Sequence, residues 1–98
     1  MREYYVYVLR CADGSYYTGV TNNWERRMME HANGIAQTCY TFDRRPVSLV
    51  HLESFREVLD AIAREKQIKQ WSRRKKEALM QQDEKRLKHY SRRSHLSQ

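Results

Sequence analysis

The apolar pattern of the chain begins with an unbroken run of aromatic and β-branched residues, Tyr4 to Arg10, and resumes at Tyr16 to Val20 after Ala12-Asp13-Gly14-Ser15. Two such runs around an Asp-Gly pair predict a β-hairpin. Its register decides which side chains share a face, because strand residues alternate sides and a slip of one moves them all. A two-residue Asp13-Gly14 turn pairs Tyr7 with Val20 and sets Tyr7 and Tyr17 on opposite faces. A type I turn at Ala12-Asp13 with Gly14 in the left-handed position instead pairs Cys11 with Ser15, Leu9 with Tyr17 and Tyr7 with Gly19. The second register is the expected one. It makes the two tyrosines diagonal neighbours and leaves space at Gly19 beside the Tyr7 ring.

Thr21-Asn22-Asn23 supplies helix N-caps, with Asn22 and Glu25 approximating a capping box, and Asn33-Gly34 supplies a stop, so a helix is predicted from about Asn23 to Ala32. Trp24, Arg27, Met28 and His31 lie on one stripe of it, and Arg26 and Glu30 form an exposed pair four residues apart. Ile35 to Arg45 has no period and reads as a loop over the hairpin face. Val47 to Glu53 follows Pro46 as a third strand, with Val47, Leu49 and His51 on one side and Ser48, Val50 and Leu52 on the other. Ser54 and Glu57 then predict a capping box that opens a helix through about Gln70, its stripe being Phe55, Val58, Leu59, Ile62, Glu65 and Ile68. Ser72 is placed to cap a third helix running to about Met80. The expected fold is α/β, more narrowly α+β: a small three-stranded central sheet containing antiparallel strands, flanked by three or more helices. Residues 1–80 form the domain, and 81–98 form a basic extension, either helical or disordered.

Length changes this picture little, since 98 residues suffice for one core and no second domain. Charge changes it more. The net +7 belongs wholly to residues 64–98, which carry +8, while residues 1–63 carry -1. A concentrated cationic segment favours a polyanionic partner through counterion release, and nucleic acid leads that class. Lys69, Arg73, Arg74, Lys75 and Lys76 are the candidates to track a phosphate backbone. Cys11 and Cys39, 28 residues apart, have no zinc-ligand spacing, and no window is apolar enough to span a membrane. The start Met-Arg-Glu-Tyr-Tyr lacks the apolar run of a signal peptide. A soluble, cytoplasmic protein with free thiols and no membrane partner is expected.

Four polar groups are directed inward by these patterns: Tyr7 and Tyr17 from the hairpin, Arg27 and His31 from the first helix. Glu65 takes an apolar position on the next helix. A core excludes such groups unless they are paired or functional. Together they suit phosphodiester cleavage, which needs a base for water, a cation at the phosphate and a carboxylate-held divalent metal at the leaving oxygen. One inward carboxylate favours a single hard cation that keeps most of its waters.

Tyr5-Val6-Tyr7 and Tyr17-Thr18-Gly19, with the key tyrosines ten residues apart, resemble the two half-motifs of the GIY-YIG nuclease superfamily. The resemblance continues through Arg27, His31 and Glu65 of Ala61-Ile62-Ala63-Arg64-Glu65-Lys66. Tyr40-Thr41, Arg44-Arg45-Pro46-Val47, Ile68-Lys69-Gln70-Trp71-Ser72 and Lys75-Lys76 look like the small single-domain bacterial branch. That branch is related to the N-terminal nuclease domain of the bacterial repair excinuclease and to Slx-type endonucleases of DNA repair. The resemblance covers about residues 3 to 80. It implies a metal-dependent DNA endonuclease, including a structure-specific one, with Tyr7 or Tyr17 serving as or positioning the general base. It further implies Arg27 at the scissile phosphate, His31 assisting proton transfer and Glu65 binding a single Mg2+ or Mn2+. A phenol with an ordinary pKa of about 10 needs a nearby cation for such a role, which Arg27 or the metal would supply.

The sequence departs from the pattern at Tyr5, where the leading glycine stands in the family, at Thr18, and at Val20, where some members carry a basic residue, so that one phosphate contact is either missing or supplied by Arg44 or Arg45. Two other classes stand beside the endonuclease: a nucleic-acid-binding module with little cleavage of its own, and a basic adaptor of a larger repair or ribonucleoprotein assembly.

Overall fold

The computed structural model describes residues 3–34 and 40–81. Three strands, β1 (Tyr4–Arg10), β2 (Tyr16–Thr21) and β3 (Ser48–Phe55), form one antiparallel sheet in the order β2-β1-β3. The hairpin takes the bulged register: Leu9 lies across from Tyr17 and Tyr7 across from Gly19. Cys11 N–H donates to Ser15 O at 2.8 Å, Gly14 N–H donates to Cys11 O at 2.9 Å, and Gly14 sits at φ +85°. That left-handed value is open to glycine at little steric cost, so Gly14 fixes the loop length and with it the faces of both tyrosines.

Helix α1 (Trp24–Asn33) is capped one residue later than the sequence suggests, by Asn23 rather than Asn22. The Asn23 side chain accepts from Arg26 N–H at 3.1 Å. Gly34 closes the helix at φ +66°. The expected Arg26–Glu30 pair is replaced by Arg27–Glu30, at 3.2 Å. Arg44 O accepts from Ala12 N–H at 2.8 Å, so the short 3-10 turn Phe42–Arg44 does close over the end of the hairpin. Residues 35–39 of the predicted loop lie outside the described residues, as does the extension from residue 82.

Two expectations about β3 and its successor fail. The strand runs to Phe55, so Ser54 pairs with Tyr5 instead of opening a helix, and α2 (Val58–Gln70) starts after Glu57 without a side-chain cap. Backbone pairing with β1 outcompetes the local capping box. Strict alternation in β3 also breaks, because the register against β1 shifts between Val8 and Leu9: His51 lies across from Val8, Leu49 from Leu9, and Val50 is the extra residue. Val50 and His51 are therefore both buried.

The core is a layer of Val6, Val8, Val50, Ala61, Ile68 and Met80. It places α2 on the side of the sheet to which Val6 and Val8 point, so Tyr7 and Leu9 point to the other side. The α2 stripe differs from the expected one. Ala61 and Ile68 are buried, whereas Val58 is 39% and Leu59 75% exposed. A third helix covers 73–81, with Ser72 Oγ accepting from Lys75 N–H at 3.2 Å as its cap. Met80 from this basic helix is fully buried and supplies apolar volume that Leu59 was expected to give.

Candidate active site

The bulged register and strand alternation put Tyr7 and Tyr17 on the sheet face opposite α2, with ring centroids 6.1 Å apart. Gly19 is what permits it: a Cβ there would stand 2.6 Å from Tyr7 Cζ and 2.9 Å from Cε1. Helix α1 starts three residues after β2 ends, which brings the Arg27 and His31 stripe back over this face.

Tyr7 Oη is the hub. Arg27 Nε–H donates to it at 3.2 Å, and His31 Nε2 lies 3.0 Å from it. On the far side of the imidazole, Nδ1 is 2.7 Å from Thr41 Oγ1. Burial and the Arg27 charge hold the His31 pKa below its ordinary value, which favours the neutral ring with its single proton. With that proton on Nδ1 and donated to Thr41, Nε2 accepts the Tyr7 hydroxyl proton. Tyr7 has no exposed surface, and its phenol is pushed up to about 12. Burial is the main cause, opposed by the Arg27 hydrogen bond and reinforced by the neighbouring Tyr17 hydroxyl. Arg27 is in turn held charged above its ordinary value, chiefly by that bond to Tyr7. Tyr17 packs edge-on to His31 at 5.3 Å and, unlike Tyr7, keeps part of its surface open.

The structure thus brings four of the sequence-derived residues together, with Glu65 outside their hydrogen-bonded chain. Glu65 lies on the row of α2 between Ala61 and Ile68, its side chain 19% exposed. Among the described residues its ion pair is with Lys69, at 3.5 Å. No group of three or more His, Cys, Asp or Glu is placed to hold a metal among the described residues. The donor set therefore does not form an all-protein cage. A single half-buried carboxylate does suit a small hard cation that retains its waters and completes its shell on a phosphate.

The basic candidates divide by attachment. Arg44 Nε–H donates to Asp13 Oδ2 at 3.1 Å, and Arg45 Nε–H donates to Phe42 O at 2.8 Å. Arg73 joins Glu77 and Gly14 O, both at 2.9 Å, tying the third helix to the hairpin turn. Lys75 lies over the Trp71 ring at 4.5 Å, Arg74 is exposed, and Lys76 is half-buried.

Sequence reasoning missed Thr41, the hydrogen-bond partner of His31 Nδ1, because its segment has no period to orient it. It also missed a second polar cluster. Arg64 Nε–H donates to Glu53 Oε1 and Oε2 at 3.1 and 3.0 Å, and His51 Nε2 hydrogen-bonds Glu53 Oε2. Burial alone would raise Glu53, but the His51 and Arg64 hydrogen bonds outweigh it and hold the carboxyl below its usual range. This cluster fastens α2 to β3. No helix among the described residues is long and apolar enough to cross a membrane.

Residues 3–78 match the family model of the GIY-YIG catalytic domain. A UPF0213 protein of Syntrophus aciditrophicus is 45% identical over 87 residues, covering 89% of this chain and 100% of that protein. A UPF0213 protein of Halobacterium salinarum is 50% identical over 76 residues, covering 78% and 97%. Two solution NMR structures are similar in fold. The UPF0213 protein of Bacillus halodurans has 44% identity and a TM-score of 0.52 over 79% of this chain and 81% of that one. A protein of E. faecalis has 37% identity and a TM-score of 0.56 over 81% and 84%. The family model spans most of the chain, including both tyrosine half-motifs, the arginine and histidine of α1 and the carboxylate of α2, and the chain belongs to the GIY-YIG nuclease family.

Proposed function

We propose that residues 1–80 form a divalent-metal-dependent endonuclease domain that hydrolyses phosphodiester bonds in DNA, including structure-specific substrates of the repair type. Residues 81–98 would add basic phosphate contacts. The observation that carries the reading is the hydrogen-bonded chain Arg27–Tyr7–His31–Thr41 beside a partly open Tyr17.

In this reading Tyr17, and not the enclosed Tyr7, meets the attacking water. The water gives a proton to Tyr17 Oη as Tyr17 passes its own to Tyr7 Oη and Tyr7 passes its own to His31 Nε2. Each hydroxyl loses one proton and gains one, so the net change is a hydroxide at the phosphate and an imidazolium at His31. Neither phenol need exist as a free phenolate, which a Tyr7 pKa of about 12 would oppose. With Nδ1–H donated to Thr41 Oγ1, the imidazole would be in the tautomer that accepts at Nε2. Arg27 keeps Nε on Tyr7, while its Nη1, now on Glu30 at 3.2 Å, is the group to turn to a phosphate oxygen. Glu65 would hold Mg2+ or Mn2+, which supplies Lewis-acid charge at the departing oxygen when bound. Arg44, Arg45, Lys69, Arg73, Arg74, Lys75 and Lys76 would line the path of the strand.

The test compares wild type with Glu65→Ala on labelled duplex, flap, branched and single-stranded DNA, with and without Mg2+ or Mn2+. The expected result is metal-dependent cleavage by wild type, with binding but no cleavage by the variant. Cleavage that survives the substitution, or that needs no metal, defeats the assignment. One observation favours the second reading, a DNA-binding module or repair-complex adaptor: the Glu65 carboxylate is already paired to Lys69. Binding without metal-dependent cleavage of any substrate would support it.

A further inference from the structure

Beside the hydrogen-bonded chain lies an aromatic column of which the cleavage chemistry uses only Tyr17. The Tyr40 ring is stacked on Tyr17 with centroids 6.2 Å apart and planes 19° from parallel, yet Tyr40 is 43% exposed. The guanidinium carbon of Arg44 lies 3.8 Å from the centroid of the Tyr40 ring. Arg44 is fixed there twice, by Nη1–H donated to Tyr40 O at 2.8 Å and Nε–H donated to Asp13 Oδ2 at 3.1 Å. Asp13 is oriented in its turn, accepting from Ser15 N–H at 3.0 Å. The column Tyr17–Tyr40–Arg44 is therefore clasped to the hairpin turn. It runs from the edge of the proton relay out to the surface.

An exposed tyrosine alone is ordinary. A planar cation and two stacked rings that share one member with the relay form a more particular surface. A phosphate at Arg27 is flanked in any strand by nucleobases, and a base can use such a surface only if its own face is free. Within a duplex both faces are covered by neighbouring pairs, whereas an unpaired base stacks on tyrosine rings and on guanidinium planes alike. Arg44 brings a cation to this surface, shared with Asp13 at 3.1 Å.

We infer that the Tyr17–Tyr40–Arg44 column is a stacking platform for an unpaired nucleotide next to the scissile phosphate, which makes DNA with locally unpaired bases the substrate class. The inference rests on the endonuclease reading for the identity of that phosphate. It differs from that reading in what it demands: base stacking without metal and without cleavage.

The experiment measures binding in EDTA of a single-stranded oligonucleotide, a flapped duplex and a fully paired duplex, each with 2-aminopurine at one position, unpaired in the first two. Wild type quenches the probe when it is unpaired and prefers the DNA forms that carry it. Tyr40→Leu, which keeps apolar bulk but removes the ring at the middle of the column, lowers that preference at least about fivefold, the lower end of what one base–aromatic stack is worth. Tyr40→Phe retains both preference and quenching. Absence of quenching by wild type overturns the inference without any variant, so loss of folding in Tyr40→Leu does not protect it. Equal preference in Tyr40→Leu and wild type also overturns it. A protein that binds no DNA in any form overturns this inference and the endonuclease reading together. Binding with unpaired-base quenching but no metal-dependent cleavage overturns the endonuclease reading alone.

Discussion

Gly19→Ala sets two physical effects of opposite sign against each other. Gly19 lies in β2 and is not among the glycines at positive φ, so alanine meets no backbone strain there. On chain entropy alone the substitution would stabilise by about 0.4–1 kcal/mol. The new Cβ, however, would stand 2.6 Å from Tyr7 Cζ and 2.9 Å from Cε1. A flexible surface side chain would swing away. Tyr7 is a rigid ring with no exposed surface, and its hydroxyl is held by Arg27 at 3.2 Å and His31 at 3.0 Å. Relief must come from a shift of the ring or of the β1–β2 pair, an overpacking that costs about 1–3 kcal/mol. The net destabilisation is about 1–2 kcal/mol. For a domain of this size that lowers the melting temperature by roughly 4–16 °C, read by circular dichroism. In a Tyr7→Leu background the ring is gone and the cost of Gly19→Ala should largely vanish, a coupling that a double-mutant cycle measures. A Gly19→Ala protein as stable as wild type, or an unchanged cost in the Tyr7→Leu background, refutes the close approach on which the geometry of the site depends.

Acid should act on the protein through His31. Its folded pKa is depressed, so its contribution to stability is complete above the unfolded value near 6.5 and is lost as pH falls through the lower folded value; the melting temperature should drop over that window in wild type and less in His31→Gln. As the proton acceptor of the proposed relay, the same group predicts an acid limb of cleavage that sets in below pH 6.5, and a rate that keeps rising with acidification would exclude it. Deleting residues 81–98, which carry five Lys/Arg, should weaken DNA binding and flatten its salt dependence by a log-log slope of roughly 0.9 for each phosphate no longer neutralised; an unchanged slope makes the segment a bystander.

What the sequence reveals of this site follows from where local chemistry has one solution. The Ala12-Asp13-Gly14 loop admits Gly14 in the left-handed region, and that choice alone orders Leu9 on Tyr17 and Tyr7 on Gly19. Helix periodicity likewise suffices to bring Arg27 and His31 to one side of α1. The failures occur where partners distant in sequence decide. Thr41 reaches His31 from a segment without a repeating pattern. The extra residue in β3 answers to β1 across the ladder, and nothing in Leu49-Val50-His51 marks it. The Ser54 and Glu57 box is a genuine local signal, overridden because Ser54 and Phe55 find backbone partners at Tyr5 and Tyr4.

The orientation of α2 connects packing to the proposed chemistry. Its most apolar stripe, centred on Val58, Leu59 and Ile62, is not the one the fold buries; Ala61 and Ile68 face the sheet and Leu59 stands in solvent. Exposing a leucine forgoes burial worth about 1.5–3 kcal/mol, so another contact must favour this rotation. Two are present. Met80, delivered by the third helix, fills the layer beside Ile68, so the core stays apolar without Leu59. Arg64, on the same turn as Glu65, reaches both carboxylate oxygens of Glu53 and spans to Trp71 at 5.0 Å, which pins the helix about its axis. With Ala61 and Ile68 inward, Glu65 necessarily falls on the row between them, half-buried on the sheet side. A helix turned to bury Leu59 would carry that carboxylate off this row. The departure from the apolar pattern is thus located at the residue proposed to hold the metal, where a local rule is expected to yield to a functional one.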